Sequence, residues 1–477
     1  MPTHLVWFRE DLRLADHRAL HAACVDPTAQ VLALFIATPQ QWQAHQMAPR
    51  QADFLRRHLV CLQQALAERG IPLYYHQVPC FLDLPDALAA LCTAKRITHL
   101  FFNRQYPLNE QRRDQAVLQR LRPTVICHTF DDSLLLAPGQ VTTQQRSMFR
   151  VFTPFKRAAL AQLCEKPPRP LPIPAPRRAQ MPAPQSLLAP FDYPTQDSSY
   201  FPAGETAALQ RLQHFCEKQV TDYALRRDFP ALAATSQLSP YLTLGVLSPR
   251  QCLQALQAVA PDILYQPRGS EGAVSWLNEL LWREFYRHLI VAFPNLCQHQ
   301  PFVAWTDQVA WQVNAQWLQA WQQGCTGYPL VDAAMRQLNH LGWMHNRLRM
   351  VVASFLSKQL LLDWRLGERY FMSQLIDGDF AANNGGWQWA ASTGCDAAPY
   401  FRLFNPTAQS QRFDPQGAFI RQWVPELAAL SDRAIHAPYA TPGEKRTTLD
   451  YPQPLVDHSL ARQRALTAFA AAKSGQG

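Results

Sequence analysis

The sequence predicts an α/β domain with a doubly wound, Rossmann-like parallel sheet, followed by an all-α domain. Over the first 130 residues, short apolar runs alternate with amphipathic helical patterns, which is typical of parallel strands joined by crossover helices. From about residue 205 the pattern changes to helices separated by turn residues. Between these regions, residues 167–184 contain eight prolines, and a segment so poor in backbone donors favours an extended linker. The predicted parts are an α/β domain at 1–132, a linker at 133–204 and a helical domain at 205–477.

The strands of the sheet are predicted from short apolar runs that are rich in β-branched and aromatic residues. These runs cover residues 5–8, 31–37, 73–78, 99–103 and 124–130. Two amphipathic stretches between them, 50–69 and 110–121, are predicted helices; Gly70 would end the first, and Asn109 is placed to cap the second. The region contains neither G-x-G-x-x-G nor a Walker phosphate loop, so it is not an evident dinucleotide or nucleoside triphosphate site.

The second half of the chain is predicted to be helical. Ser248-Pro249 favours a helix start, and residues 274–293 and 343–362 are predicted to form long helices. Eleven of the thirteen tryptophans lie after residue 275. A large helical core would account for many of them, because such cores use aromatic side chains heavily.

Composition and charge narrow the class of protein. The 477 residues are 48% hydrophobic and 17% charged, enough to bury a large core. The net charge of +9 favours a polyanionic partner, although many basic chains have none. Eleven cysteines without a C-x-x-C pair indicate reduced thiols and no zinc framework. Charged residues directly after the first apolar run, and the lack of a long apolar run, predict a cytoplasmic protein without a signal peptide or membrane span.

The segment 377–389 has the composition of a cofactor pocket. It combines two aspartates, two adjacent asparagines, glycines and two tryptophans. Glycines allow a ligand to approach the backbone closely, carboxylates and amides hydrogen-bond a polar heterocycle, and indoles offer stacking faces. This mixture predicts a pocket for a large aromatic cofactor.

A predicted helix at 276–287 carries a second candidate group. At 100° per residue, Trp276, Glu279, Arg283 and Tyr286 fall on one side, and the opposite side is largely apolar. A carboxylate on a helix with two partly buried sides must be paired or functional. A structural Glu279–Arg283 pair at i, i+4 spacing is the alternative.

Two further patterns point to phosphates and nucleic acid. Trp343, Asn346 and Arg349 recur every third residue, and arginine interleaved with aromatic residues suits nucleic-acid backbones and unstacked bases; a solvated arginine face is the alternative. The hydroxyl-rich turn 235–239 could hold phosphate oxygens or simply cap a helix. The sequence has no G-x-S-x-G elbow, no H-E-x-x-H and no Cys/His metal spacing, so serine or zinc hydrolysis is disfavoured.

Together these segments resemble the cryptochrome and photolyase family, in particular its class I cyclobutane pyrimidine dimer photolyases of the folate-containing bacterial type. The resemblance runs from Val6 to Pro406 and is most specific at 276–286, 343–350 and 377–389. It implies a sheet domain that holds an antenna and a helical domain that encloses one FAD, active in its reduced form. The FAD contacts that it implies are Tyr223, Thr235, Ser236, Gln237, Leu238, Ser239, Trp276, Glu279, Arg283, Trp343, Asn346, Arg349, Asp377, Gly378, Asp379 and Asn383.

The resemblance also implies an activity, namely light-dependent DNA repair. Reduced FAD excited by blue or near-ultraviolet light would donate one electron to a cyclobutane pyrimidine dimer, which splits before the electron returns. Asn383 would face the central flavin ring, Glu279 would bind the dimer bases and stabilise their radical anion, and Trp282, Trp389 and Met350 would line the lesion pocket. The partner would be ultraviolet-damaged DNA, with contacts from Arg227, Glu279, Trp282, Arg283, Tyr286, Asn346, Arg347, Arg349, Arg402 and Gln409.

Two auxiliary functions follow from the same resemblance. Trp387, Trp364 and Trp311 match the family's photoreduction chain, in that order from flavin to surface, with core packing as the alternative for each. The antenna would be 5,10-methenyltetrahydrofolate, and its site residues would be Asn109, Glu110, Trp42 and His45. Gln298 stands where close relatives tend to have lysine, which departs from the folate pattern.

The resemblance leaves two alternatives to repair of cyclobutane dimers. Six-four photolyases carry histidines at the positions of Asn346 and Met350, so the residues here favour cyclobutane dimers. A blue-light receptor on the same scaffold usually has a long C-terminal extension, whereas this chain ends soon after Tyr451-Pro452. A non-enzymatic helical nucleic-acid binder would leave Glu279 and Asn383 without a purpose. We expect a monomer that needs no metal and acts beside bacterial nucleoid DNA.

Overall fold

The computed structural model describes residues 1–177, 190–265, 271–439 and 449–475. The chain divides into two compact units, each assembled from stretches that are far apart in sequence. The first unit consists of Met1–Ala224, Ser236–Pro294 and Ile376–Asp379, and the second of Leu225–Thr235, Asn295–Leu375 and Phe380–Gly477. The predicted domains are continuous instead, and their boundaries after residues 132 and 204 stay predictions.

The first unit is built on a five-stranded sheet in which all strand pairs are parallel. Its strands are β1 (Thr3–Phe8), β2 (Gln30–Ala37), β3 (Leu73–Gln77), β4 (His99–Asn103) and β5 (Ile126–Phe130). The order β3-β2-β1-β4-β5 runs outward from β1 in both directions, which defines a doubly wound sheet. All six residues of β1 are buried, as expected of a central strand covered on both faces. The predicted α/β class is confirmed.

Strand and helix ends in this sheet differ from the predicted ones by a few residues. The strand predicted to start at Thr124 begins at Ile126, because the backbone N–H groups of Thr124 and Val125 still bond to the carbonyl of Leu121 at the preceding helix end. The predicted cap at Asn109 is wrong. The helix begins one residue earlier, after Pro107, whose extended backbone occupies the cap position and leaves Asn109 inside the first turn.

The first unit also contains α-helices. They are α1 (Arg18–Cys24), α2 (Pro39–Ala44), α3 (Pro49–Ala67), α4 (Leu84–Ala94), α5 (Leu108–Leu121), α6 (Phe152–Glu165), α7 (Glu205–Lys218), α8 (Tyr223–Arg226, which runs into the second unit), α9 (Ser239–Thr243), α10 (Pro249–Val259) and α11 (Glu271–Ala292). The predicted helix start at Ser248 is confirmed by a capping box, in which the Ser248 and Gln251 side chains bond reciprocally to each other's backbone N–H.

The described part of the second unit is helical. Its α-helices are α12 (Ala315–Gln323), α13 (Pro329–Leu341), α14 (Asn346–Ser354), α15 (Trp364–Gln374), α16 (Phe380–Ala391), α17 (Pro406–Phe413), α18 (Ala418–Trp423) and α19 (His458–Ser474). A short 3₁₀ turn occurs at Val220–Asp222 in the first unit. Others occur in the second unit at Pro294–Gln298, of which only Pro294 belongs to the first, and at Ala304–Gln308, Pro425–Leu427 and Ala434–His436.

The run predicted as one helix over 343–362 is divided in the structure. The α-helix begins only at Asn346, because the His345 side chain accepts a hydrogen bond from the Arg347 backbone N–H at 3.1 Å and so caps it. After Ser354 the chain continues as a π-helical turn, Phe355–Gln359. The prediction is therefore wrong for residues 343–345, which precede the helix, and for residues 360–362, which follow the π-helical turn.

A buried group of charges fixes the loop after β1 to α10 in the first unit. Arg250 bonds to Asp16 at 2.8 Å and to Asp132 at 2.7 Å, and Arg13 also contacts Asp132. All four side chains are almost fully buried. Buried charges are tolerated when they are paired in this way, so removal of one partner would leave an uncompensated charge.

The described part of the proline-rich segment, 167–177, forms no helix or strand and lies along the first unit. Its backbone bonds to Asp16 at Leu171, and the Arg177 side chain donates to the carbonyls of Cys24 and Asp26. Pro182 and Pro184 of the predicted linker lie outside the described residues. None of the helices in the described ranges combines the length and apolarity that crossing a bilayer requires.

Candidate active site

The α11 helix presents a partly exposed polar stripe in the first unit. Asn278, Glu279, Trp282, Arg283 and Tyr286 are half-buried and recur at helical spacing. Trp276, predicted on the same side as Glu279, is instead buried, and its ring is tilted against Phe215 of α7 at 5.1 Å between centroids. The stripe therefore offers a carboxylate, a guanidinium and two aromatic rings at one surface of the helix.

Arg283 is held by backbone carbonyls of two other segments of the first unit. Its guanidinium donates to the Ser133 carbonyl at 2.8 Å and to the Leu242 carbonyl at 3.2 Å. Burial, together with the neighbouring Arg287, lowers the pKa of Arg283 to about 10. These contacts fix the guanidinium between α9 and the segment that follows β5.

The acidic segment 377–379 is bound by the same region of the first unit. Arg287 donates to Asp379 at 2.5 Å and to the Ser133 hydroxyl at 2.9 Å. The carbonyl of Gly378 accepts from the Gln51 amide at 2.9 Å, and that of Asp377 accepts from the Thr243 hydroxyl at 3.4 Å. The fold thus brings together three predicted FAD-binding segments: α11, residues 377–379 and α9, which starts at Ser239.

The turn before α9 is arranged by backbone strain and by an arginine. Gln237 has a positive φ of 49°, and its side-chain oxygen accepts from Arg211 at 2.8 Å. Leu238 is buried, while Ser239 is exposed at the first position of α9. Tyr223 is buried edge-on against Phe215. Ser239, exposed at the start of α9, therefore offers a hydroxyl that is a suitable donor for phosphate oxygens.

Trp282 is stacked on a ring that the sequence pattern did not indicate. Phe152, the first residue of α6, lies parallel to Trp282 with 3.7 Å between centroids and 11° between planes. Tyr286 is tilted against the same indole at 5.5 Å. Because Phe152 is 130 residues away in sequence, helical periodicity around Trp282 contained no signal for it. The stack holds the indole in a fixed orientation.

In the second unit, Arg347 is bound on two sides. It forms an ion pair with Asp228 at 2.8 Å, and its guanidinium lies 4.6 Å from the centre of the Phe413 ring. Asp228 also lies 3.9 Å from Arg227, so one carboxylate serves two of the predicted DNA contacts. Asp228 was not among the predicted site residues, because its contact with Arg347 joins residues far apart in sequence and local pattern gives no signal for it.

The other predicted residues of α14 differ in exposure. Asn346 is exposed and Met350 is half-buried, whereas Trp343, which precedes the helix, is buried. Arg349 donates to the Met344 carbonyl at 2.8 Å. Elsewhere in this unit Arg402 is exposed, and within the described ranges the buried side-chain oxygen of Gln409 has no hydrogen-bond partner.

Asn383 is oriented by α15. Its amide nitrogen donates to the main-chain carbonyl of Glu368 at 3.0 Å, which leaves the amide oxygen as an acceptor for another group. The buried Glu368 carboxylate accepts from Asn384 at 2.7 Å and pairs with His299 at 2.8 Å. The hydrogen bond to Glu368 raises the pKa of His299. Sequence reasoning missed both Glu368 and His299, because neither stands in a recognisable motif.

The three tryptophans of the predicted relay all lie in the second unit. Trp387 and Trp364 are almost fully buried in its main hydrophobic cluster, and Trp311 is half-buried at the edge of it. Gly367, one turn after Trp364, faces the Trp387 ring: a Cβ atom built there would lie 2.1 Å from its Cη2. Trp387 therefore packs directly on the helix that Trp364 begins. Trp389, assigned to the lesion pocket, is half-buried.

The predicted antenna residues are partly brought together in the first unit. His45 lies 3.0 Å from the Asn109 amide and 3.5 Å from the Glu110 carboxylate. One oxygen of Glu110 is buried and, among the described residues, has no hydrogen-bond partner; burial raises the pKa of this carboxyl. Trp42 instead packs edge-on against Phe191 at 5.0 Å. No group of three or more His, Cys, Asp or Glu side chains in the described ranges is arranged to hold a metal ion.

Comparison with known proteins identifies the family. Residues 4–176 match the family model described as DNA photolyase, and residues 276–471 match the FAD binding domain of DNA photolyase. The chain is 57% identical over 480 residues to the deoxyribodipyrimidine photo-lyase of Salmonella typhimurium, with 100% of both chains covered. The chain belongs to the DNA photolyase family. The predicted FAD cofactor is confirmed by the match to the family's FAD binding domain.

Solved photolyase-family structures have the same fold. A bacterial class III photolyase from Agrobacterium tumefaciens superposes with a TM-score of 0.86 at 34% identity, covering 99% of this chain and 98% of that one. A cryptochrome from Synechocystis superposes with a TM-score of 0.85 at 29% identity, covering 98% and 99%. Since photolyases and a cryptochrome share this fold, the fold alone does not separate repair from light sensing.

Proposed function

We propose that this chain is a deoxyribodipyrimidine photo-lyase, which uses FAD and light to split cyclobutane pyrimidine dimers in DNA. The observation that carries this proposal is the identity of 57% over the full length to an enzyme of that name. The residues described above fit the flavin. Arg283, the turn before α9 and residues 377–379 offer donors and carbonyls in the first unit, and Asn383 offers an oriented amide oxygen in the second.

The cofactor supplies the difficult chemistry and the protein supplies binding, orientation and electrostatics. When bound in its reduced form and excited by light, FAD supplies the electron that opens the cyclobutane ring and afterwards recovers it. In the second unit, Asn383 is the residue proposed to hydrogen-bond the central flavin ring. The Asn383 amide nitrogen already donates to the Glu368 carbonyl at 3.0 Å, so its amide oxygen is the atom available to accept from a ring N–H.

The proposed FAD contacts occur in both units. In the first unit they are Tyr223, Ser236, Gln237, Leu238, Ser239, Trp276, Glu279, Arg283, Asp377, Gly378 and Asp379. In the second unit they are Thr235, Trp343, Asn346, Arg349 and Asn383.

The lesion is proposed to contact the exposed stripe of α11. Glu279 lies one turn from Trp282 and Arg283, so a base placed against the indole is within reach of a carboxylate and a guanidinium. The carboxylate would hydrogen-bond the dimer bases, and Trp282, fixed by its stack on Phe152, would provide an apolar wall. Trp389 and Met350 have the same proposed role in the second unit. Photolyases are a standard example of enzymes that flip their target out of the duplex, and a damaged, poorly stacked pair costs less to flip.

Further proposed DNA contacts come from Tyr286 in the first unit and from arginines and amides in the second. Guanidinium groups bind phosphate oxygens in a bidentate manner, and these contacts make binding depend on salt. Because Arg347 is paired with Asp228, a phosphate would have to share or replace that carboxylate. The proposed contacts in the second unit are Arg227, Asn346, Arg347, Arg349, Arg402 and Gln409.

We also propose the auxiliary functions implied by the resemblance. Trp311, Trp364 and Trp387 would relay an electron inward when the flavin is oxidised. In the first unit, Asn109, Glu110, His45 and Trp42 would hold a folate antenna. The buried Glu110 oxygen, which has no hydrogen-bond partner in the part of the chain that the structure describes, fits an aminopteridine, whose N–H groups donate hydrogen bonds. The enzyme would act as a monomer without a metal, in the cytoplasm.

The proposed role of Glu279 is tested by its replacement with alanine. Light-dependent loss of dimers from irradiated oligothymidylate is measured with chemically reduced enzyme, and FAD per chain is measured from absorbance. We expect Glu279→Ala to slow ring splitting about tenfold relative to unproductive electron return, the effect of losing about 1.4 kcal/mol, and so to lower the repair quantum yield while most FAD is retained. Glu271→Ala, which removes an exposed carboxylate from the first turn of the same helix, is the matched control. Equal quantum yields for Glu279→Ala and wild type would contradict the role given to Glu279.

The runner-up function is a blue-light receptor, favoured by the similarity to the Synechocystis cryptochrome. The same assay separates the two functions. Protein that binds FAD and undergoes photoreduction, but leaves dimers intact in the light, would support the receptor and refute the lyase.

A further inference from the structure

The segment that carries Arg402 is a tight turn with one buried and one exposed side, in the second unit. The Arg402 backbone N–H bonds to the Pro399 carbonyl at 2.8 Å and closes the turn. The Tyr400 ring lies parallel to Phe469 of α19, at 5.9 Å and 2°. Phe401 is 57% exposed and Arg402 is also exposed. The turn therefore presents an aromatic ring and a guanidinium to solvent from a packed base.

This Arg402 turn, residues 399–402, is held from the buried side by the π-helical turn that follows α14. Leu360 bonds to the carbonyl of Phe355, five residues earlier, which is the π-helical pattern. The resulting wide turn directs two consecutive side chains to the same segment. The Lys358 amine donates to the Arg402 carbonyl at 3.0 Å, and the Gln359 amide donates to the Phe404 carbonyl.

A lysine at position 358 carries a desolvation cost, because its amine is buried. Lys358 is 1% exposed, and burial lowers its pKa to about 7. Methionine or leucine would fill a similar volume without desolvating an amine, so packing does not account for the lysine. Unlike methionine or leucine, the amine donates a hydrogen bond to the Arg402 carbonyl.

The Arg402 turn is thereby connected to two helices of the second unit: α16, which carries a proposed lesion contact, and α14, which carries proposed DNA contacts. The chain just before the turn is fixed to α16, because the Ala398 backbone N–H bonds to the carbonyl of Trp389 at 3.2 Å. The end of the turn is fixed by the bond from Lys358 to the Arg402 carbonyl, and Lys358 lies in the π-helical turn that continues α14, the helix of Arg347 and Arg349. Binding several phosphates of one duplex requires guanidiniums at fixed separations, since each misplaced contact must be paid for by reordering the chain.

We propose that Lys358 is a positioning residue for DNA binding, which holds the Arg402 turn so that the Arg402 guanidinium meets a DNA phosphate; this rests on the DNA contact proposed above for Arg402. Lys358 itself is buried and acts through the main chain of Arg402. Its removal should therefore affect DNA binding only while Arg402 is present.

The test is a double-mutant cycle with Lys358→Met and Arg402→Ala. Binding of FAD-loaded protein to a duplex oligonucleotide with one thymine dimer is measured in the dark by fluorescence anisotropy at several salt concentrations. We expect Lys358→Met to weaken binding about 3- to 10-fold and to reduce the slope of log K against log salt by about 0.9, the loss of one phosphate contact. In the Arg402→Ala background, Lys358→Met should have no further effect. Ser357→Ala is the matched control, because this buried hydroxyl lies in the same turn but bonds to Ala353 of α14.

The outcomes are distinguishable. If Arg402→Ala weakens binding while Lys358→Met does not, or if the two effects add, the role of Lys358 is refuted and the proposed contact of Arg402 stands. If Arg402→Ala binds like wild type, the contact itself is wrong and the role of Lys358 is refuted with it. Should Lys358→Met fail to fold, Lys358→Leu replaces it in the same cycle with the same expected result, because leucine also removes the donor to the Arg402 carbonyl.

Discussion

Replacement of Gly367 by alanine is expected to displace the Trp387 indole and destabilise the second unit. A Cβ atom at Gly367 would lie 2.1 Å from Cη2 and 2.5 Å from Cζ3 of Trp387, and 2.7 Å from Cδ2 of Leu356. Non-bonded carbon atoms are most stable at about 3.5–4.0 Å, so the ring must withdraw by roughly 1.4 Å or more. The neighbouring rings of Phe371 and Trp321, at 5.0 and 6.0 Å, restrict that withdrawal.

The expected magnitude follows from two opposing effects. Overpacking of a buried site costs about 1–3 kcal/mol or more, while replacing a helical glycine by alanine contributes about 1 kcal/mol in its favour. Because the three contacts are so short, the clash should dominate, with a net loss of up to about 2 kcal/mol. For a unit of about 200 residues this lowers the midpoint of thermal unfolding by roughly 4–8 °C.

Thermal unfolding followed by circular dichroism measures this loss, with Gly386→Ala as the matched control. Gly386 is also a helical glycine of the second unit, but a Cβ atom there meets nothing within 4 Å, so alanine should stabilise slightly. The displaced indole should also slow light-driven reduction of the flavin. If Gly367→Ala is as stable as Gly386→Ala and is photoreduced at the wild-type rate, the packing of Trp387 on α15 does not constrain the relay.

Two further predictions concern the second unit. Trp311→Phe should nearly abolish photoreduction of oxidised flavin but spare repair by chemically reduced enzyme, because phenylalanine is not readily oxidised; normal bleaching of the flavin bands under blue light would rule out the relay. Lys358 should make stability depend on pH, since burial lowers its pKa from 10.5 to about 7. Between these values the unfolded chain binds the extra proton, so the free energy of unfolding rises with pH, by up to about 1.4 kcal/mol per pH unit. In urea titrations at pH 7 and pH 9, wild type should therefore gain up to about 2.7 kcal/mol relative to Lys358→Met, and parallel pH dependences would exclude a buried neutral lysine.

The sequence by itself determined the parallel sheet and the helical second half, and it indicated the segments that are proposed to carry the flavin and lesion contacts. These properties are encoded locally. Strands and helices follow from the period of apolar residues, as in β4, whose predicted and observed ends coincide, and helix starts follow from caps such as Ser248. Motifs such as 377–389 are read in the same way, because their chemistry lies within a few consecutive residues.

Only the tertiary structure decided which partners orient those residues. Phe152 against Trp282, Asp228 against Arg347, Glu368 against Asn383 and Lys358 against the Arg402 turn join residues that are 15 to 130 positions apart. The pairing of distant residues depends on how whole helices pack, and no local period or motif specifies it. Local pattern therefore indicated the groups proposed to react, whereas long-range packing set their orientation, their burial and the pKa values that follow from it.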